Sequence, residues 1–337
     1  MSLGIIIPEI SDSHCPDAKD SASARQVHVL TDAYSQGELQ SWFDIDVHQL
    51  SCGTYQGHCT TLSFGRMHLV HEQQNQLIHK VGIMPENTCT ISFALGHDPL
   101  KRFLHFLEPA PLTFLLAENT EFDILAPAQV DTLYLCLEQD RLLAGARMLN
   151  PRFWERPPQG LYGFNSLATE KLAADLLNLL NIDAKHALCA KTESLLLDSI
   201  LLALNQSIEV LSSDTPEYKM RQRAVQRVNQ AREFIDASLQ AGLLPSMVDL
   251  CAHTGASART LQYAFREVMQ MSPVAYLRLL RLNRVRSALQ TATTANITVT
   301  QVAMQWGFLH LGEFARDYQR LFGECPSETL ARSGSRN

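Results

Sequence analysis

"AMQWGFLHLGEFARDYQRLFGECPSE", residues 303 to 328, runs as one amphipathic helix until Gly307 and Phe308 break it, after which a second helical pattern begins. The same break occurs earlier in the chain. Aligning "DLCAHTGAS" (249 to 257) with "QVAMQWGFLH" (301 to 310) pairs Leu250 with Val302, Cys251 with Ala303 and Gly255 with Gly307 at an offset of 52. One extra turn residue raises the offset to 53, and Leu261, Phe265, Val268 and Met269 then match Phe314, Tyr318, Leu321 and Phe322. Each copy spells a short helix, a tight glycine turn and a longer helix, so the pattern predicts two helix-turn-helix units, at 246–269 and 298–322. The glycines supply the positive φ of a sharp turn, and small Cys251 and Ala303 let the helices approach. Apolar sets at i, i+3, i+4 and i+7 point inward: Leu261, Ala264, Phe265 and Val268 in one copy, Leu311, Phe314, Ala315 and Tyr318 in the other. Ser257 is placed as an N-cap, and Ser246 with Asp249 as a capping box one helix earlier.

What remains faces outward. In the first copy these are Ser257, Arg259, Thr260, Gln262, Tyr263 and Arg266; in the second, His310, Gly312, Glu313, Arg316 and Arg320. Arginine and glutamine near a helix N-terminus reach base edges in a major groove, while serine, threonine and peripheral arginine suit phosphates. Between the copies, "PVAYLRLLRLNRVRSAL" (273 to 289) predicts a spacer helix of roughly 25 Å, which would set the units on successive major-groove segments of double-stranded DNA. Trp306 and Tyr318 are expected in the core.

The charge distribution agrees. The 337 residues carry a net −7, but residues 217 to 337 hold one lysine and 14 arginines against nine acids, a net of +6, leaving −13 on residues 1 to 216. An acidic half joined to an arginine-rich half predicts two domains with two tasks. With 46% hydrophobic and 19% charged residues the chain is not disordered by composition. Its eight cysteines form no C-x-x-C pair, and no apolar run reaches membrane-spanning length; reduced thiols and a cytoplasmic, membrane-free protein are the expectation.

Upstream, residues 1–25 are polar and aperiodic and predict a flexible tail. From 42 to 140 short alternating runs separated by glycine and proline predict an antiparallel barrel or sandwich, taken as a cupin-like β-barrel, and leucine stripes over 165–210 predict two helices closing a sensing and dimerisation domain at 26–211. Residues 168–180 and 190–208 are the candidate homodimer seam, with an internal core role as the alternative. "SSDTPEYK" marks a linker at 212–220, before the helical domain at 221–337. The fold class is therefore α+β with two domains. Phe64, Phe93 and Phe114 are candidates to line an effector pocket inside the barrel. Histidines 48, 58, 68, 71 and 79 lack the spacing of a metal set, and in "HLVHE" His68 and His71 would face opposite sides of a strand. Neither a metal nor a catalytic constellation is expected.

The run "RLNRVRSAL", then "VTQVAMQWGF" and "FARDYQRLFGECP", resembles the double helix-turn-helix domain of AraC/XylS-type bacterial transcription regulators over about residues 224 to 331. The resemblance implies base reading by Arg259, Gln262 and Tyr263, then by Gly312, Glu313 and Arg316. Gly312 stands where serine is common, and Cys325 stands before Pro326 where serine or threonine is usual. The variant "AMQWGF-x-HLG-x-FA-x-DYQ-x-LF" looks most like the ethanolamine-operon branch, which implies an activator working with RNA polymerase and answering a small-molecule effector, ethanolamine with adenosylcobalamin. Two alternatives stand beside it: a cupin-like small-molecule enzyme with an appended helical module, and a DNA-binding regulator whose barrel only dimerises.

Overall fold

In a computed structural model the described residues are 24–40, 42–64, 66–95, 113–156, 158, 160–164, 166–181, 190–206, 216–292 and 297–334. Among these residues the N-terminal half contains ten strands: β1 Ala24–Leu30, β2 Asp44–Gln49, β3 Gly57–Phe64, β4 Met67–Gln74, β5 Ile78–Ile83, β6 Thr88–Ala94, β7 Thr113–Leu116, β8 Glu121–Ala126, β9 Val130–Glu138 and β10 Leu161–Phe164. Five helices accompany them: α1 Tyr34–Leu39, α2 Gln139–Leu149, α3 Pro151–Trp154, α4 Leu167–Asn181 and α5 Ala190–Asn205. All pairings are antiparallel. They give a seven-stranded sheet ordered β1-β3-β4-β9-β6-β7-β10 and a three-stranded sheet ordered β2-β5-β8.

No ladder among the described residues joins the two sheets, so of the two expected forms, barrel or sandwich, the described strands make two facing sheets and the cupin-like barrel is not closed among them. Alternation in sequence fixes which side chains share a face, but not which strand edges meet. Strand structure also exceeds the expected span of 42–140: β1 begins at Ala24, inside the expected tail, and β10 lies just before the expected helices at 165–210.

Period-two alternation sorts the large sheet into two environments. Leu69, Ile91, Phe93, Leu133 and Leu135 face α2, α4 and α5 and share one core with Leu172, Leu176, Ile200 and Leu204. Val70, Phe114, Val130 and Tyr134 face the small sheet and meet Val47, Ile78 and Ala126. The leucine stripes of α4 and α5, candidates for a dimer seam, are thus spent on the sheet; Leu195 and Leu202 of α5 stay about half exposed, at 46% and 47%.

The C-terminal half is helical: α6 Pro216–Gln240, α7 Met247–Thr254, α8 Ala258–Met269, α9 Pro273–Thr291, α10 Val299–Gln305, α11 Leu311–Phe322 and α12 Pro326–Gly334. Helix α6 begins inside the linker expected at 212–220, because Pro216 suits a first helical position and Glu217 to Arg223 contain no breaker. Two cores flank α9. One joins α6, α7 and α8 to Tyr276, Leu277 and Leu280; the other joins α10 and α11 to Leu282, Val285 and Leu289. The first also takes in Leu50 and Leu125 from the edges of the small sheet, so the two halves share apolar contact.

Candidate functional site

The repeated unit forms through explicit caps. Ser246 and Asp249 make a reciprocal capping box at α7, and Thr298 with Gln301 makes the equivalent at α10. Helix α7 ends on Gly255 at φ 62°, and Gly307 follows α10 at φ 77°. Beyond α10 the Phe308 N–H donates to the Ala303 carbonyl and the Gly307 N–H to the Met304 carbonyl, both at 2.9 Å, the paired bonds of a Schellman ending. Phe308 then turns into the core on Phe314, ring centroids 5.0 Å apart. A Cβ on Gly307 would press on Leu244 in the loop before α7, so glycine here serves both the backbone and the contact between units. That combination is why the helical run from Ala303 breaks where it does.

Helices α8 and α11 each bury one stripe: Leu261, Ala264, Phe265 and Val268 in the first, Phe314, Tyr318, Leu321 and Phe322 in the second. Ala315, expected inside, is exposed, and Leu311 is only half-buried. Tyr318 is fully buried with its hydroxyl on Thr329, whereas Trp306 is half-buried.

The opposite face of α8 presents Ser257, Arg259, Gln262, Tyr263 and Arg266 to solvent, with Thr260 half-buried beside them. Ser257 caps the helix through the Thr260 N–H, which leaves its hydroxyl at the first turn. Tyr263 is 58% exposed and does not pack; the Arg259 guanidinium stacks over its ring, 5.6 Å from the centroid. On α11, His310, Gly312, Glu313 and Arg316 are exposed around the N-terminal turn. Arg316 donates to the Gly312 carbonyl at 3.2 Å. Arg320 is set apart: it lies in the last turn, pairs with Asp317, and its carbonyl accepts from the Gly53 N–H of the N-terminal half.

Open space surrounds the position a Cβ would take on Gly312. Gly312→Ser is therefore expected to keep thermal stability or raise it slightly, since glycine costs roughly 0.5–1 kcal/mol relative to a side chain inside a helix. A melting temperature several degrees lower would show that the space is not free.

Other arginines of the basic half are held internally. On α9, Arg278 donates to Asp317 of α11 at 2.6 Å, Arg284 meets Asp46 of β2 at 3.2 Å, and Arg286 pairs with Asp32 and with Glu324, the latter at 2.8 Å. Asn283 exchanges two 2.9 Å bonds with the backbone of Gln49, and the Gln49 amide donates to the Leu321 carbonyl at 2.7 Å. A Cβ on Gly323, at φ 74°, would collide with Thr54. The N-terminal domain thus grips the spacer helix and the end of α11.

The small sheet supplies a buried polar ring at the same boundary. Arg232 of α6 donates to the Tyr276 hydroxyl at 3.1 Å, and that hydroxyl bonds His79 Nδ1 at 3.2 Å. His79 Nε2 meets Asp123 at 2.9 Å, and Asp123 pairs with Arg232. A neutral His79 carrying its proton on Nε2 gives each of these donors an acceptor. Burial, then Arg232 and His48, push its pKa well down, so it is neutral at pH 7. Burial likewise takes His48, its cross-strand neighbour, down to about 4, with Asp46 opposing and Arg284 and Arg232 reinforcing.

These depressed imidazoles set the sign of the pH effect. Below about 6.5 the unfolded chain protonates both imidazoles while the folded chain resists, so stability falls as pH drops from about 6.5 to about 4. For His48 alone this is roughly 3 kcal/mol at most, at about 1.36 kcal/mol per pK unit. Thermal unfolding at pH 7, 6, 5 and 4 checks it, with His48→Gln expected to flatten the profile.

Between the sheets lies a cavity of about 420 Å³. Of the three phenylalanines expected there, Phe114 lines it; Phe93 is on the opposite face of β6, buried against the helices, and the Phe64 side chain lies outside the described residues. Strand parity could have excluded Phe93, but only once Ser92 was known to face inward. Four buried polar residues of this cavity, Gln40, Glu72, Gln74 and Lys80, are absent from the sequence expectations because along the chain they look like surface residues. His68 and His71 face opposite sides of β4: His68 bonds Ser63 at 2.9 Å and stacks on Trp42, while His71 bonds Asp131 at 2.6 Å. Among the described residues no three His, Cys, Asp or Glu side chains are grouped to hold a metal ion.

Two glycine-turned recognition helices, joined by one spacer and bearing free arginines, define a tandem helix-turn-helix protein. A family model described as a helix-turn-helix domain matches residues 250–332. The chain is 36% identical over 99 residues to XylDLEGF operon transcriptional activator 2 of Pseudomonas putida, covering 29% of this chain and 62% of that one. It is 35% identical over 103 residues to a probable thc operon regulatory protein of Rhodococcus erythropolis, covering 31% and 30%. A solved probable AraC family transcriptional regulator from Rhodopseudomonas palustris is 39% identical, covering 32% of this chain and 97% of that one, with a TM-score of 0.29. Residues 250–332 thus form a helix-turn-helix domain, and this part of the chain is similar to transcription regulators of the AraC/XylS type. The chain spans under two thirds of the length of both operon regulators, and these matches cover no more than a third of this chain. No helix among the described residues is long and apolar enough to cross a membrane.

Proposed function

We propose that the chain is a sequence-specific DNA-binding transcription activator whose N-terminal domain answers a small molecule. One observation carries the DNA reading: among the arginines of the two units, Arg259, Arg266 and Arg316 point outward without a carboxylate partner among the described residues, while on α9 Arg278, Arg284 and Arg286 are tied to acids and Arg281 lies over the Phe308 ring. The unpaired ones sit on the faces that reach a groove in helix-turn-helix docking, beside Gln262 and Tyr263. As an activator the protein works with RNA polymerase in the cytoplasm. It pairs as a homodimer through the α5 face that keeps Leu195 and Leu202 exposed, and sedimentation giving a monomer with and without DNA would remove that element.

The likeness to the ethanolamine branch adds ethanolamine with adenosylcobalamin as effectors, whereas the matching relatives are named for thc and xyl operons. Calorimetric titration of the chain with each compound decides that point.

Selection from random duplex DNA with the full chain, followed by salt titration of the winning site, tests the central reading. Two short blocks about one helical turn apart, with affinity falling steeply in salt, are expected. Enrichment of no sequence at low salt would sink it.

A further inference from the structure

The cavity between the sheets has a specific chemical character, and a ligand class read from it rests on the small-molecule part of the proposed function. Its floor is charged but balanced. Lys80 of β5 donates to Glu72 of β4 at 2.5 Å, and Gln40 also donates to Glu72; all three residues are at least nine-tenths buried. Asp123, at the wall, is taken by His79 and Arg232 on the far side of the small sheet. Glu121, the remaining carboxylate of the lining, is exposed to solvent at the rim, so no buried formal charge is left over for a ligand to neutralise, and a lone charge brought to the floor would be desolvated without compensation.

Next to this pair stands an orphan. Gln74, two residues along β4 from Glu72 and on the same face, is 4% exposed and lines the cavity, and neither its amide oxygen nor its amide nitrogen has a hydrogen-bond partner among the described residues. A buried amide with both functions unmet is costly and native structures avoid it, unless a bound group completes it. An amide edge offers one donor beside one acceptor, which matches another amide-like edge and no simple ion. Much of the remaining wall is hydrocarbon, with Phe43, Phe114, Phe122, Met84, Leu116 and Ile124 enclosing room for a ring or short chain, and the hydroxyls of Thr90, Ser92, Thr132 and Tyr134 interrupt it.

We propose that this cavity binds an uncharged amphipathic small molecule: an aromatic or alicyclic body seated among these apolar side chains, with a carboxamide-like edge paired to the Gln74 amide.

The position of the site gives binding a route to the DNA-binding half. The small sheet is a single layer: Lys80 faces the cavity, and the neighbouring residue, His79, faces the other way and bonds Tyr276 at the start of α9. Leu125 of β8 likewise faces the core of the first unit while Ile124 faces the cavity. A ligand that shifts β5 or β8 therefore acts directly on the surface that the spacer helix rests against.

The test uses the full chain and three probes that share a body and differ in head charge: 2-naphthamide, 2-naphthoate and 2-naphthylmethylammonium, each with its benzene analogue in case the larger body does not fit. Calorimetry is expected to show the amide binding at least about tenfold more tightly than either ion. Gln74→Leu should weaken the amide about tenfold while leaving the unliganded melting temperature equal or higher, since it removes an unmet buried amide. Tighter binding of the carboxylate would mean that Lys80 leaves Glu72 to receive an anion, and would overturn the proposal. So would Gln74→Leu binding the amide as well as the parent does, or no binding of any probe. Selection of DNA by the same preparation separates the two readings: probes failing while a DNA site is still selected removes this inference alone.

Discussion

Arg286→Met lowers the stability of the chain by about 3–5 kcal/mol, the usual result of breaking a buried ion pair from one side. Arg286 is 6% exposed, lies on α9, and touches both Asp32 of the N-terminal domain and Glu324 beyond α11. Its guanidinium also lies over the Phe322 ring, 4.4 Å from the centroid. Methionine keeps the packing of the stem but leaves two carboxylates facing each other in a poorly hydrated site. The first thermal transition should move down by roughly 10 °C at about 2–4 °C per kcal/mol. The double variant Arg286→Met with Asp32→Asn should recover part of the loss, because one stranded charge is gone. A shift of less than about 1 kcal/mol in the single variant would mean that the domains separate readily and the pair is not held in solution.

Arg259→Ala reduces affinity for the selected DNA site by about 1–3 kcal/mol, roughly ten- to a hundredfold, and relaxes preference at one position of the first block. Arg316→Ala does the same in the second block. Neither changes the melting temperature by more than about 0.5 kcal/mol equivalent, since both side chains are exposed and make only local contacts to Tyr263 and the Gly312 carbonyl. Binding measured by fluorescence anisotropy at fixed salt separates two roles. A uniform loss across all sequences, with a salt slope reduced by about one, would make either arginine a phosphate clamp instead of a base reader.

The helix-turn-helix units were legible because their determinants are local. Capping residues, glycines at φ 62° and 77°, and apolar stripes at helical period all lie within a few residues of the feature they cause. Ala315 shows the limit of that method: it falls at i+4 of the stripe yet is exposed, because the buried stripe of α11 runs through Phe314, Tyr318, Leu321 and Phe322 and passes it by. The strands were legible as strands, but the alternation alone puts Phe93 in the cavity when it faces the helices. Assigning a face needs to know which of two apolar sides carries the second sheet, and both sides of β6 are buried.

Charge was the most misleading local signal. The net +6 of residues 217 to 337 suggested arginines facing DNA, yet Arg232, Arg278, Arg284 and Arg286 are paired with acids, three of them with acids of the N-terminal half. Opposite charges on the two halves are therefore also a device that holds the halves together.

The sequence by itself determined the repeat, the turns, the outward arginines of α8 and α11 and the division of charge, since each depends on neighbours within about one or two helical turns. Only the tertiary structure decided that the described strands make two facing sheets, that Gln74, Glu72 and Lys80 meet in one cavity, and that the spacer helix is gripped by β2, β5 and the residues around them. Those arrangements join residues far apart along the chain, 254 positions in the case of Asp32 with Arg286. Contacts at such separation follow from the packing of whole faces, and no periodicity along the chain encodes them.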